Sequence, residues 1–265
     1  PPCTTGLNQQ EAPIEIKGIS GPVRSYLVIR EKPRAFRMAN RGLEGIETAM
    51  VGRDAELARI TDAFKAARED GEVGMITVVG EPGIGKSRLG LEFAQWLELL
   101  PDGVRFYQCR PRPYGNHVPY GLVRDMLARR FEILDSDSQA AAKVKLAAGI
   151  GEVLKERTDE YTALIGQLIG LDYGDDPHIA AIASEAKQLR DRAFHALSRY
   201  FLTVHKDTGE PIVVVLDDLH WADDGSLDFG NHLAQACRGI PMLMLCLTRS
   251  TLYERRPLWG SGQSN

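Results

Sequence analysis

The stretch Met75-Ile76-Thr77-Val78-Val79-Gly80-Glu81-Pro82-Gly83-Ile84-Gly85-Lys86-Ser87-Arg88-Leu89 decides how this chain folds. Its first five residues are apolar or β-branched and read as a strand. Glycines at 80, 83 and 85 then mark a turn, and apolar residues at helical spacing follow from Ser87 to about Leu100. The pattern G-x-x-x-x-G-K-[ST] between a strand and a helix is that of an anion-cradling loop. Glycine lets the backbone curl until successive N–H groups face one phosphate, and the helix N-terminus behind adds roughly half a positive charge. The expected cradle is Gly80, Glu81, Pro82, Gly83, Ile84, Gly85, Lys86, Ser87 and Arg88. In it Lys86 reaches the β- and γ-phosphates and the Ser87 hydroxyl is a ligand for Mg2+.

Three further strands are legible outward from this stretch. Val104–Cys109 is one. Pro211–Leu216 is a continuous apolar run of the kind buried on both faces of a parallel sheet, and it ends at Asp217 and Asp218. Met242–Leu247 is a second such run and ends at Thr248 and Arg249. Strands alternating with helices predict an α/β fold with a central parallel sheet between two helical layers. Ligands of such sheets bind beyond the carboxyl ends of the strands. Three strand ends here carry useful chemistry: the phosphate loop, a carboxylate pair, and a hydroxyl with a guanidinium. Asp217 is expected to hold Mg2+, and Asp218 to orient or deprotonate an attacking water. Arg249 is expected to contact the γ-phosphate, and Thr248 to be within reach of a phosphate or its water. His220 and Trp221 read as packing at the sheet edge. Nothing resembles a nucleophile elbow, so a Ser-His-Asp triad is not expected.

The segment from Tyr120 to about His205 reads as helical. One helix is marked by Leu122, Met126, Leu127 and Phe131, and a second by Val144, Leu146, Ile150 and Val153. A third spans Tyr161–Leu168, and a long fourth spans Ala180–Val204 after a break at Asp172–Pro177. Leu57, Ile60, Ala63 and Phe64 mark a helix before the phosphate loop, with Asp54 as its expected cap and Asp70-Gly71 as its end. Residues 110–116 read as a loop. In front, Pro13–Gly18 and Gly21–Ile29 read as two strands around a Gly/Pro turn. From Lys17 to Arg41 the chain is basic, with Lys17, Arg24, Arg30, Lys32, Arg34, Arg37 and Arg41 against Glu31, and the connector 31–48 reads as a solvated linker.

With 265 residues, 43% apolar and 26% charged, the chain has material for one large domain and an appendage. A net charge of −4 argues against a nucleic-acid-binding domain. No run reaches the length of a membrane span, and the first residues lack the charged and apolar regions of a secretory signal. Cys3, Cys109, Cys237 and Cys246 show no metal-ligand spacing, which favours a reduced, cytoplasmic setting.

Two resemblances extend this reading. Residues 13–28, Pro-Ile-Glu-Ile-Lys-Gly-Ile-Ser-Gly-Pro-Val-Arg-Ser-Tyr-Leu-Val, resemble the closing segment of class III adenylate/guanylate cyclase domains. The catalytic part of such a domain would lie upstream, so no cyclase site residue carries over. Val51-Gly52-Arg53-Asp54-Ala55-Glu56-Leu57, the loop Gly80–Ser87, Val213-Val-Val-Leu-Asp-Asp-Leu-His-Trp-Ala-Asp223 and Leu245-Cys-Leu-Thr-Arg249 resemble the signal-transducing STAND branch of AAA-like P-loop ATPases. Similar modules follow bacterial class III cyclase domains and occur in MalT-like regulators. The resemblance implies a three-layer P-loop NTPase fold with a helical insertion before the Walker B strand Val213–Asp217. It also implies ATP and Mg2+ as cofactors, and Val51, Gly52 and Arg53 as lining of the adenine pocket. Members of that branch continue into a fifth strand, a helical lid and a winged-helix-like domain. If the usual strand order holds, the phosphate-loop strand is a sheet edge here.

The expected organisation is a cyclase-like remnant (1–30), a linker (31–48), an incomplete P-loop NTPase domain lacking its lid (49–250) and a flexible tail (251–265). The expected function is an ATP-binding, slowly hydrolysing switch that regulates an attached cyclase. Its partners would be ATP or ADP and the flanking cyclase, lid and repeat domains of a longer protein, without nucleic acid or membrane. Oligomerisation of that longer protein stays open. The alternatives are the non-catalytic part of a nucleotidyl cyclase, a nucleic-acid-remodelling AAA protein and a binding-only scaffold.

Overall fold

A computed structural model of the chain describes residues 6–10, 26–31, 50–111, 119–182 and 184–261. In the front segment β1 (Gly6–Gln10) pairs antiparallel with β2 (Tyr26–Glu31). The expected second strand overlaps β2, but the partner strand lies upstream of the expected one. Residues 13–25, the linker residues 32–48 and loop residues 112–116 lie outside the described residues.

The main domain starts with α1 (Asp54–Asp70), β3 (Val73–Val79), α2 (Lys86–Glu98) and β4 (Arg105–Cys109). A helical segment follows: α3 (Gly121–Arg130), α4 (Gln139–Val153), α5 (Thr158–Leu168), α6 (Pro177–Ala180) and α7 (Ala186–Thr208). The chain then returns through β5 (Ile212–Leu216), a 3-10 turn at Leu219–Trp221, α8 (Asp224–Ala236), β6 (Met242–Thr248) and α9 (Thr251–Arg255).

The four strands β3 to β6 form one parallel sheet in the order β3-β6-β5-β4. Side-chain composition explains who is central. Every residue of β5 and β6 is buried, whereas β3 and β4 mix buried and half-exposed positions. The continuous apolar runs therefore take the interior and the mixed runs take the edges. Among the described strands, β3 has a neighbour on one side only, as expected for the strand that carries the phosphate loop.

Period-two alternation assigns the faces. Val213, Val215, Leu243, Leu245 and Leu247 pack with Ile60 and Phe64 of α1 and Leu89, Phe93 and Leu97 of α2. Ile212, Val214, Leu216, Met242, Met244 and Cys246 face the opposite layer, where α3, α7 and α8 lie, and the helical segment continues that core. The fold is the three-layer α/β/α arrangement with the helical segment inserted before β5. Cys109, Cys237 and Cys246 are buried, and burial pushes the thiols of Cys237 and Cys246 up to about 12, so they behave as small apolar side chains.

Several boundaries differ from expectation for physical reasons. Asp54 is the first residue of α1 rather than its cap. Arg53 holds the cap position without a side-chain hydrogen bond, and Gly71 closes the helix in the left-handed region at φ 67°. Pro177 opens the one-turn helix α6 behind the capping Asp176, because proline suits a first helical position, so the long helix begins only at Ala186. Val144 is 69% exposed, and the buried stripe of α4 runs through Ala142, Leu146 and Ile150 instead. The largest correction is at the end. Residues 251–261 are not a loose tail: they form α9 and a turn that bury Leu252 completely and leave Trp259 5% exposed. Only residues 262–265 lie outside the description there. The Trp259 ring sits so close to α8 that a Cβ added at Gly230 would meet it at 3.0 Å.

Removing that indole deletes a large buried surface that the surrounding helices cannot refill. Trp259→Ala is expected to cost about 3–5 kcal/mol in urea unfolding with an unchanged m-value. A loss well under ~1 kcal/mol would return 251–261 to the status of an unpacked end.

Candidate functional site

Sheet register places the candidate residues at one edge. Val79 of β3 is level with Thr248 of β6, and Leu216 of β5 is level with both Cys109 and Cys246. The ladders run one residue past the strands. Gly80 N–H donates to the Thr248 carbonyl at 3.2 Å, and Asp217 N–H donates to the Cys109 carbonyl at 2.9 Å. The phosphate-loop sequence and the acid pair therefore leave the sheet side by side, although about 130 residues separate them in the chain.

Loop conformation follows from its glycines. Gly83 and Gly85 adopt φ of 82° and 96°, where a side chain would be strained. Gly85 is also the cap position of α2, which has no side-chain cap and no acid in its first turn, so the positive end of the helix is left facing the loop. Lys86 lies folded over the loop, with Nζ donating to the carbonyls of Gly80 at 2.7 Å and Glu81 at 2.9 Å. Ser87 Oγ is 3.1 and 3.2 Å from the two carboxylate oxygens of Asp217.

Asp217 is 2% exposed. Its carboxylate also accepts the Asp218 N–H at 2.9 Å, and Arg110 Nε stands 3.8 Å away. Burial, helped by the neighbouring Asp218 charge, raises its pKa above the usual carboxylate value against the opposing pull of Arg110 and Ser87. Asp218 sits in the left-handed region at φ 53°, which its short polar side chain tolerates better than most, and this reverses the chain into the 3-10 turn. Its carboxylate is clamped by Arg110, whose Nε donates at 2.9 Å and whose Nη2 donates to the same oxygen.

The other expected residues divide. Arg53 Nη2 reaches the Ile84 carbonyl at 3.4 Å, which ties the 51–53 segment to the phosphate loop, while Nη1 pairs with Glu56 at 2.5 Å. Val51 is 86% exposed beside it, and Gly52 turns the chain at φ 71°. Arg88 points along its own helix and pairs with Glu92, so only its backbone is left to the loop. The Thr248 hydroxyl is fully buried and donates to the Arg249 carbonyl at 3.2 Å, facing the backbone rather than the loop. Arg249 follows β6 at the same edge, with its guanidinium 6.0 Å over the Trp221 ring.

Two residues of the site escaped the sequence reading. The turn chemistry of residues 110–116 predicts a loop there, and Arg110 follows β4 directly. The rule that flagged the other strand ends would have flagged it once β4 was paired with β5. Its backbone N–H is held by Asp125 of α3 at 2.8 Å. Asp223 is the second. Its carboxylate caps α8 through Ser226 N–H at 2.9 Å and Ser226 Oγ at 2.6 Å, and it also accepts the N–H groups of Tyr120 and Gly121 at 3.0 Å. One side chain thus joins the starts of α3 and α8. The Asp223-x-x-Ser226 spacing signalled the cap, and nothing in the sequence signalled the second helix.

The donor set fits Mg2+. A hydroxyl and a buried carboxylate in contact across the sheet edge are two hard oxygen ligands, and Mg2+ completes its shell with phosphate oxygens and waters. Among the described residues no group of three or more His, Cys, Asp or Glu side chains is arranged to hold a metal by itself. No described helix is long and apolar enough to cross a membrane.

Comparison with known sequences agrees with this geometry. Residues 49–245 match the sequence model of the AAA ATPase domain. The chain is also similar to an uncharacterized protein of Rhizobium meliloti (strain 1021), with 25% identity over 244 residues, 89% of this chain and 22% of that protein. The chain therefore spans about a fifth of the length of this relative. With the phosphate loop and the acid pair adjoining at one edge of a parallel sheet, and the match covering well over half of its residues, the chain belongs to the AAA ATPase domain family, the nucleotide-hydrolysing P-loop ATPases.

Proposed function

We propose that the chain is an ATP-binding, slowly hydrolysing switch of the STAND type, with Mg2+ held between Ser87 and Asp217. The observation that carries this reading is the contact of Ser87 Oγ with both carboxylate oxygens of Asp217, at 3.1 and 3.2 Å. When bound, Mg2+ would neutralise phosphate charge. The chain's own residues would do the rest. The N–H groups of the loop and of the first turn of α2 receive phosphate oxygens. Lys86 exchanges the Gly80 and Glu81 carbonyls for the β- and γ-phosphates. Val51, Gly52 and Arg53 adjoin the loop where a base would lie. Asp218 orients the attacking water and takes its proton.

In the arrangement observed, Asp218 is paired with Arg110 and Lys86 with loop carbonyls. Both residues would need new partners before hydrolysis, which suits a slow switch better than a fast enzyme. The resemblance of residues 13–28 to the end of a class III cyclase domain supports cyclic-nucleotide synthesis as the regulated output of a longer protein. A net charge of −4 gives no support to a nucleic-acid substrate.

Three measurements test the reading. Lys86→Ala is expected to weaken Mg·ATP binding at least ~10-fold by titration calorimetry, and equal binding would remove the loop from the site. Asp218→Asn is expected to keep ATP affinity within about twofold while hydrolysis falls ~10²–10⁴-fold. Equal turnover by wild type and variant would end the catalytic assignment. Asp217→Asn should abolish the Mg2+ dependence of binding yet raise the thermal midpoint of the nucleotide-free chain at pH 7, because an amide needs no charge buried. The sign follows from the raised carboxyl pKa. Ionisation of Asp217 costs stability as pH rises through its folded pKa, so the gap between variant and wild type should close as pH falls below that value.

A further inference from the structure

Among the described residues at this edge, His220 is a buried polar side chain without a hydrogen-bond partner. The residue is 8% exposed, and both ring nitrogens are shut off from solvent with no hydrogen-bond partner among the described residues. A neutral imidazole always carries one N–H and one lone pair, and buried side-chain polar atoms nearly always find a partner. Two orphaned nitrogens on one ring therefore point to a group that the described residues do not supply.

Position says which group. His220 lies in the 3-10 turn immediately after Asp217 and Asp218, within electrostatic reach of Arg249, Asp218 and Lys86. Those are the side chains expected on the γ-phosphate side of the loop. Its main chain is anchored, since Arg255 Nη1 donates to the His220 carbonyl at 3.3 Å and to the Ala222 carbonyl at 3.2 Å. The ring is backed by Trp221 at 5.1 Å, which is itself 45% exposed and carries Arg249 over its face. Packing alone would place an apolar residue here. Burial and the Arg249 and Lys86 charges hold the imidazole in its neutral form against the pull of Asp218, and a neutral ring donates one hydrogen bond without adding charge.

We propose that His220 is a nucleotide-contacting residue that donates a ring N–H to the terminal phosphate of bound ATP, and so distinguishes ATP from ADP. The inference rests on the ATPase reading of the same site. It adds the group by which the turn after β5 registers the γ-phosphate. Because Arg255 of α9 holds that turn, phosphate contact at His220 would be felt in the segment after β6.

The test compares affinities for Mg2+ with the non-hydrolysable analogue adenylyl-imidodiphosphate and for Mg·ADP, in wild type, His220→Ala and His220→Gln. The expected result is a ~10-fold loss of analogue affinity in His220→Ala with ADP affinity within about twofold. His220→Gln, which keeps a donor, should recover most of the loss. Wild type labelled on histidine should show one imidazole resonance, missing from His220→Gln, that moves with the analogue and not with ADP. Equal loss for both nucleotides, no loss for either, or an imidazole signal indifferent to the analogue overturns the proposal and leaves the ATPase reading standing. If wild type binds neither nucleotide, or Lys86→Ala binds as well as wild type, the underlying reading fails and this inference fails with it. Should His220→Ala not fold, the wild-type His220 resonance, identified by its absence from His220→Gln, still decides by its response to the analogue and to ADP.

Discussion

The hydrogen bond from Gly80 N–H to the Thr248 carbonyl, 3.2 Å long, carries the β3–β6 ladder one residue past the strand, and the site depends on it. A parallel ladder has evenly spaced bonds, so fixing one pair fixes the level of every strand end. With Val79 level with Thr248, and Asp217 N–H bonded to the Cys109 carbonyl, the loop and the acid pair leave the sheet together. A shift of one residue in β3 against β6 would turn its buried side chains outward and carry Ser87 away from Asp217. The apolar faces of β5 and β6, buried on both sides, prevent such a shift.

Charge at this edge is balanced locally. Asp217 is buried and raised in pKa, Asp218 is held by Arg110, and Lys86 is absorbed by two carbonyls. Concentrated charge of both signs in a half-buried edge is tolerable only when each group has a partner, and each of these partners is one that a bound nucleotide and its metal could replace. The site is therefore organised in advance without being rigidly committed. His220 is the group for which no such internal partner exists among the described residues.

Asp223 connects this edge to the helical layer. Its carboxylate serves the starts of both α3 and α8, and Asp125 of α3 in turn holds the backbone of Arg110. A movement of the turn after β5 would act on α3 through Asp223, and a change at Arg110 would act on it through Asp125. On the other side Arg255 fastens α9 to the same turn. This edge is thus tied by named hydrogen bonds to elements both before and after it in the chain.

The loop Gly80–Ser87, the acid pair after β5 and the α/β class were legible without coordinates. Each is a local pattern: glycine spacing sets backbone freedom, continuous apolar runs mark strands buried on both faces, and polar residues at their ends mark the ligand side. The helix boundaries at Asp54 and Pro177 and the exposure of Val144 were not, because capping and burial depend on which neighbour arrives. Nor was the packing of Trp259, since an isolated aromatic in a Gly- and Ser-rich tail gives no period from which a contact with Gly230 could be read. Arg110 and Asp223 belong to the same class. Their roles are contacts across roughly a hundred residues, from Arg110 to Asp218 and from Tyr120 to Asp223. The chain by itself marked the candidate residues for cradling a phosphate and holding a metal. Only the parallel sheet, by bringing distant strand ends level, decided which charges face one another there and which polar ring has no partner among the described residues.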